Sequence, residues 1–263
     1  MTEPRVGFIT GGASGIGLAL GQLLAREGVR VVLADIDDAA LNRAVEDQGP
    51  QRLIEKIRLD VTDATAVHAA LNGTFERFGR LDFVFNNAGV GGTKNAHEAT
   101  LEQWQRIVDL NLMGVIHGVA AAYPLMIRQG HGHIINTSSI SGLIPWPGQT
   151  LYNTTKYAIV GLSHSLRLEA AHFGVRVSVV CPGPVQSSIW GTSILGERNP
   201  SVRSPPTAMT AARAAEIIWR GVQSNRETIV FPRAAAIWAW IYRLHHGLLK
   251  PHFDRHLKQL FAK

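Results

Sequence analysis

Cysteine is nearly absent: Cys181 is the single one among 263 residues. One thiol excludes an internal disulfide framework and fits a reducing compartment, so a cytoplasmic protein is expected. Long hydrophobic runs are also missing. No window offers the roughly 18 uninterrupted apolar residues of a spanning helix. The opening Met1-Thr2-Glu3-Pro4-Arg5 lacks the apolar core of a secretory signal. Acidic charge is scarce in one place only. From Arg233 onward there are six basic residues and one acid, Asp254, a net +5 out of the whole chain's +6. The high pI therefore belongs to the tail, and the body offers no basic face for nucleic acid. No repeat, low-complexity tract or linker divides the chain. One large core is expected over residues 1–232, followed by a basic, aromatic-rich helical extension over 233–263.

What is present begins with a strand, a glycine loop and a helix. Val6 to Thr10 is apolar, and Gly11, Ser14, Gly15, Ile16 and Gly17 form a G-x-x-x-G-x-G loop before Leu18. Such a loop lets backbone N–H groups approach a pyrophosphate at the positive end of a helix. A second apolar strand, 30–34, ends in Asp35 and Ile36, about 20 residues beyond the loop. An acid there is placed to hold both ribose hydroxyls of an adenosine half and to repel a 2′-phosphate. No basic residue follows in Asp37-Asp38, so NAD is favoured over NADP.

The alternation continues. Strands are expected at 53–59, 81–85, 134–137, 175–180 and 228–231, and helices at 63–78, 101–127, 150–173 and 211–222. This pattern predicts an α/β fold: a single-domain, doubly wound (Rossmann) parallel seven-stranded sheet with helices on both faces. The marked residues lie at the carboxyl ends of strands, where ligands bind in such folds. They are Asp60-Val61, Asn87-Ala88-Gly89, Ser139, and Pro182-Gly183-Pro184-Val185-Gln186-Ser187. Tyr152 and Lys156 are four apart at the head of a helix and share a face, so an ammonium can lie near a phenol as an acid/base device.

These motifs, in this order from Val6 to Ser187, closely resemble the short-chain dehydrogenase/reductase family. The glycine loop, Asp35, Asp60-Val61, Asn86-Asn87-Ala88-Gly89, Asn111, Ser139, Tyr152-x-x-x-Lys156 and Pro182 to Ser187 all match, with Ser187 where the family has Thr. The resemblance implies hydride transfer between a nicotinamide and an alcohol or ketone. Tyr152 would be the acid/base and Ser139 would hold the substrate oxygen. Lys156 would bind the nicotinamide ribose and draw the phenol pKa down from about 10. Asn111 would hold a relay water. The family spacing of 13 to the tyrosine selects Ser139 over Ser138. Homo-oligomers, dimers or tetramers, are a further implication. Two other readings stand beside NAD-dependent oxidation: an NADP-dependent carbonyl or ketoacyl reductase, and a non-catalytic NAD-binding sensor or scaffold.

Loops 90–100, 140–151 and 184–210 should face the substrate. They carry Leu143, Ile144, Trp146, Leu151, Ile189, Trp190, Ile194 and Leu195, about half of which should line a pocket with little charge near its chemistry. A hydrophobic alcohol or ketone fits. The connection 184–210 is long enough to act as a lid, and Glu197, Arg198 and Arg203 lie along it. In the tail, Ile237, Ile241, Leu244 and Leu248 recur at heptad-like spacing over 234–249, with Trp238, Trp240 and Tyr242 between them. This helix could pack on protein, meet an anionic membrane, or close over the substrate. His252 and His256 have helical ligand spacing, but no acid or cysteine completes a set, and no metal site is expected.

Overall fold

β-branched runs with a two-residue period form strands that are buried on both faces, and here they assemble one parallel sheet. A computed structural model describes residues 3–46, 53–92, 94–192, 194 and 201–261. Its strands are β1 (Val6–Thr10), β2 (Arg30–Asp35), β3 (Ile54–Arg58), β4 (Phe83–Asn86), β5 (Gly132–Thr137), β6 (Val175–Pro182) and β7 (Thr228–Phe231). The spatial order is β3-β2-β1-β4-β5-β6-β7, every pairing parallel. The helices are α1 (Gly15–Arg26), α2 (Asp38–Glu46), α3 (Ala64–Phe78), α4 (Leu101–Val108), α5 (Gly114–Gln129), α6 (Thr150–Ala171), α7 (Ala211–Gln223), α8 (Arg233–Leu244) and α9 (His246–Phe261).

Side-chain alternation along the strands separates two cores. Val6, Phe8, Val32, Val177, Val179 and Cys181 pack with Val67 and Leu71 of α3, Val115 of α5 and Ile159 of α6. Ile9, Val31, Leu33 and Val180 face the other way, against Leu20 and Leu24 of α1, Leu41 of α2 and Ile218 of α7. The winding reverses between β1 and β4, and their carboxyl ends border the cleft where the marked residues gather.

Three elements differ from the sequence expectations. Residues 38–46 form α2, whose start is fixed by the Ala40 N–H donating to Asp37 Oδ1 at 2.9 Å. The helix expected at 101–127 is not uniform: a π turn, Asp109–Met113, joins α4 to α5 and contains Asn111. This run, Leu101–Gln129, is also long and apolar enough on average to cross a bilayer, a property that counting uninterrupted apolar residues overlooks. Half of its most apolar window is buried inside the protein, as in a core helix. Finally, the tail is two helices. His245, with φ −145° and ψ 83°, ends α8, and α9 follows at once.

Candidate active site

A cavity of about 1300 Å³ opens at the carboxyl edge of the sheet. That exceeds the roughly 300–1,000 Å³ of an ordinary small-molecule pocket and suits a ligand in two parts. One end is lined by Gly11, Ser14, Gly15, Ile16, Asp35 and Ile36, with Asp60, Val61, Asn87, Ala88 and Gly89 beside them. Ser139, Tyr152, Lys156, Pro182, Gly183, Val185 and Ser187 follow on the same surface. Two expected residues do not line it. Gly17 lies behind the loop, where a Cβ would collide with the Gly11 carbonyl oxygen, so its role is close helix–strand packing. Asn111 is fully buried in the π turn.

The loop is held by its neighbours. Gly15 has φ +52°, a conformation that favours glycine. Asp35 Oδ2 accepts from the Ala13 N–H at 3.0 Å and Oδ1 from the Asp37 N–H at 3.2 Å, so this carboxylate fixes the loop as well as facing the cavity. Thr10 Oγ1 accepts from the backbone N–H groups of Asn87 (2.9 Å) and Ala88 (3.1 Å), joining β1 to the end of β4. Asp60 Oδ1 accepts from the N–H and hydroxyl of Thr62, at 2.9 and 2.8 Å. A buried chain runs beneath: Asn86 donates to Asn136 Oδ1 (2.9 Å), and Asn136 to Ser163 Oγ (3.0 Å). Sequence reasoning did not connect these three, although asparagines ending apolar strands were their signal.

The reactive groups converge from β5 and α6. Ser138 Oγ donates to the Lys156 carbonyl at 2.7 Å, which commits it to the helix. Ser139, in extended backbone, accepts from the Ser141 N–H at 3.1 Å and is hydrogen-bonded to Tyr152. Burial raises the Tyr152 phenol above its ordinary pKa, while the Ser139 hydrogen bond pulls it down. Lys156 is packed against the phenol ring. Its Nζ lies over the Tyr152 ring, 5.4 Å from the centroid, and donates to the Thr137 carbonyl at 3.2 Å. Burial lowers the ammonium pKa to about 8, so near neutral pH part of its charge is already lost.

Asn111 reaches the site through the backbone. Its Oδ1 accepts from the Val90 N–H at 2.8 Å and its Nδ2 donates to the Val90 carbonyl at 2.9 Å. Gly89 stands between it and the lysine: the position a Cβ would take there is 3.0 Å from Asn111 Oδ1 and 3.7 Å from Lys156 Nζ.

The far end of the cavity is apolar, with Ile144, Trp146, Ile189, Trp190 and Ile194 in its wall. Leu143 packs on the main core, and Leu151 on a small cluster with Ile107 and Ile194. Leu195, Glu197 and Arg198 lie outside the described residues. Lys94 and Arg106 also line the cavity, with Gln103 and Gln149. The tail completes the wall: Ala234, Ala235 and Trp238 of α8 and His252 of α9 face the cavity. The His252 ring meets Trp238 edge-on at 5.0 Å and Trp146 at 5.9 Å. Asn153, unmarked in the sequence, donates from Nδ2 to the Trp146 carbonyl at 2.8 Å and anchors that loop.

Residues 5–197 match the family model described as short chain dehydrogenase. A levodione reductase of Leifsonia aquatica is 36% identical over 185 residues, 69% of either chain. Among solved structures, a short chain dehydrogenase/reductase of Burkholderia phymatum in complex with NAD superposes with a TM-score of 0.82 at 29% identity, covering 94% of this chain and 96% of that one. A short-chain dehydrogenase of Sphingobium yanoikuyae in complex with NADPH gives 0.77 at 26%, covering 94% and 95%.

Proposed function

Because this chain belongs to the short-chain dehydrogenase family, we propose that it is an NAD-dependent oxidoreductase that interconverts a hydrophobic secondary alcohol and its ketone. The observation that carries this reading is the meeting of Tyr152, Ser139 and Lys156 on one cavity wall, between the glycine loop and an apolar recess. The cradle fits a dinucleotide. Loop residues Gly11 to Ile16 at the head of α1 suit the pyrophosphate, and Asp35 the adenosine ribose. Asp60, Val61, Asn87, Ala88 and Gly89 line the route onward, and Pro182, Gly183, Val185 and Ser187 border the catalytic end. A bound nicotinamide supplies hydride exchange with the substrate carbon.

The chain's own residues handle the proton. Ser139 holds the substrate oxygen beside Tyr152, and the Tyr152 hydroxyl gives a proton to a ketone oxygen or takes one from an alcohol. Burial keeps the resting phenol protonated, which suits donation. Lys156, lowered to about 8, can exchange protons near neutral pH, and Asn111 lies on the side leading away from it. The Tyr152, Ser139, Lys156 and Asn111 set argues for an enzyme over a cofactor-binding sensor. Asp35 argues for NAD, although structural relatives in complex with NAD and with NADPH both resemble this fold.

A panel of hydrophobic alcohols and ketones, run with NAD and NADP in parallel, tests the reading. Turnover preferring NAD is expected. NADH binding without turnover of any panel member would favour the sensor. Two further expectations belong here. The buried Cys181 fits a cytoplasmic setting. A homo-oligomer built on α5 and α6 fits the exposure of Leu168 and Phe173, and light scattering measures it.

A further inference from the structure

The α8–α9 hairpin has two apolar faces and only one of them meets the protein. On α8, Ala234, Ala235 and Trp238 face the cavity. Ile237, Trp240 and Leu244 project from the other side, because steps of three, four and seven residues return to one line at 100° per residue. They are 58%, 64% and 53% exposed, and Leu248, just past the helix break, is 66% exposed. Isolated exposed apolar residues are ordinary, but three on a single ridge, one of them a tryptophan, with an exposed leucine just past its end, require a partner.

Charge decides which partner. The ridge begins at Arg233, is flanked by Arg243 and Lys250, and belongs to a tail with six bases and one acid. All three of these bases are exposed. A second copy of this chain would bring the same positive patch against itself. An anionic surface would neutralise it, and an interfacial helix is a basic border around tryptophan and aliphatic side chains.

We propose that the outer face of the α8–α9 hairpin docks this protein on anionic lipid bilayers. Ile237, Trp240, Leu244 and Leu248 enter the acyl boundary, while Arg233, Arg243 and Lys250 pair with headgroups. The inner face of the same hairpin carries Trp238 and His252 of the cavity wall, so docking sets the apolar end of the cavity beside the bilayer. A membrane-dissolved substrate would then enter without crossing water. The docking itself does not depend on the oxidoreductase reading.

Vesicle flotation of the full chain tests it, comparing phosphatidylcholine vesicles with vesicles containing phosphatidylglycerol. Binding is expected only to the anionic vesicles and should fall steeply with added salt. Arg243→Gln should weaken it about fivefold, the worth of one basic residue near such a surface. The double variant Trp240→Ser/Leu244→Ser should abolish it while NADH titration stays unchanged, which separates docking from folding. A blue shift of tryptophan emission on anionic vesicles should accompany binding and be lost in the double variant. Absence of the full chain from floated anionic vesicles would overturn the proposal, and so would undiminished binding of the double variant. A double variant that turns an oligomer into monomers without altering flotation would assign the ridge to a second copy instead.

Discussion

The carboxyl edge of the sheet and the C-terminal hairpin border the same cavity but are built on different principles. At the sheet edge, buried polar groups are tied to one another: Asn86, Asn136 and Ser163 bond in series, with the Asn86 oxygen left unpaired, and Thr10 receives two backbone N–H groups. Glycines sit where backbones and side chains leave no room for a Cβ, as at Gly17. In the hairpin the joints are aromatic edges, such as His252 on Trp238 and Phe253 on Tyr242 at 6.2 Å, and much apolar surface stays outside. A rigid polar frame suits a constant cofactor and constant chemistry. A surface of aromatic contacts can change its shape for a particular substrate without disturbing that frame.

The largest expected effect separates chemistry from binding within the frame. Tyr152→Phe removes the hydroxyl that would move the proton, and turnover should fall about 10³-fold. NADH affinity by fluorescence titration should change less than about twofold, since no cofactor contact needs that proton. Retained turnover would move the acid/base role elsewhere.

Acid should weaken the frame. His133 is buried in β5, with its Nε2 2.8 Å from Ser178 Oγ, and burial pushes its pKa down to about 3. The unfolded histidine binds a proton near pH 6.5, so between pH 6.5 and 3 the unfolded chain holds more protons than the folded one. Stability therefore falls as pH drops through that window, by a few kcal/mol at most from this residue. Thermal melts of wild type and His133→Gln at pH 7 and pH 4.5 should show a smaller acid loss in the variant.

The frame was far more legible in the sequence than the hairpin. Parallel strands buried on both faces appear as short apolar runs, and several end at or next to a polar residue the site uses, such as Asp35, Asn86 or Ser139. Helix α2 was missed because 38–46 is polar and buries one side chain, Leu41. The tail stayed open between packing, membrane and flap for a physical reason. Of the apolar stripe Ile237, Ile241, Leu244 and Leu248, three are exposed and Ile241 is half-buried, and the side toward the cavity is small or aromatic. Periodicity reports that a face is apolar, not what covers it. Nor could it show that Lys156 lies over the Tyr152 ring, since shared helix faces do not fix rotamers.

At the cofactor end, Asp35→Ala should weaken NAD about tenfold, the worth of a hydrogen bond to a charged group, and narrow the NAD over NADP preference. The carboxylate also accepts from Ala13 and Asp37, so some loss will come from a loosened loop. Asp35→Asn keeps an acceptor for that loop and reduces the repulsion of a 2′-phosphate. It should narrow the preference while preserving more of the NAD affinity. Equal cofactor constants in wild type and both variants would remove Asp35 from the adenosine site.

The smallest effect should fall at the joint between the two regions. Asn153 belongs to α6, one residue beyond Tyr152, yet its amide holds the Trp146 carbonyl, and the Trp146 ring meets His252 and Phe253 of the tail. Asn153→Ala removes one buried hydrogen bond, worth about 1 kcal/mol, and frees the loop that carries Trp146. If the hairpin is the substrate's wall and the frame is the chemist, KM for a hydrophobic substrate should rise about fivefold. NADH affinity and the kcat of a small, water-soluble substrate should hold. Steady-state kinetics on one bulky and one small alcohol separate the outcomes. A matched fall in kcat for both would mean that Asn153 positions Tyr152 through the helix rather than Trp146 through the loop, and the boundary between frame and wall would then lie within α6 itself.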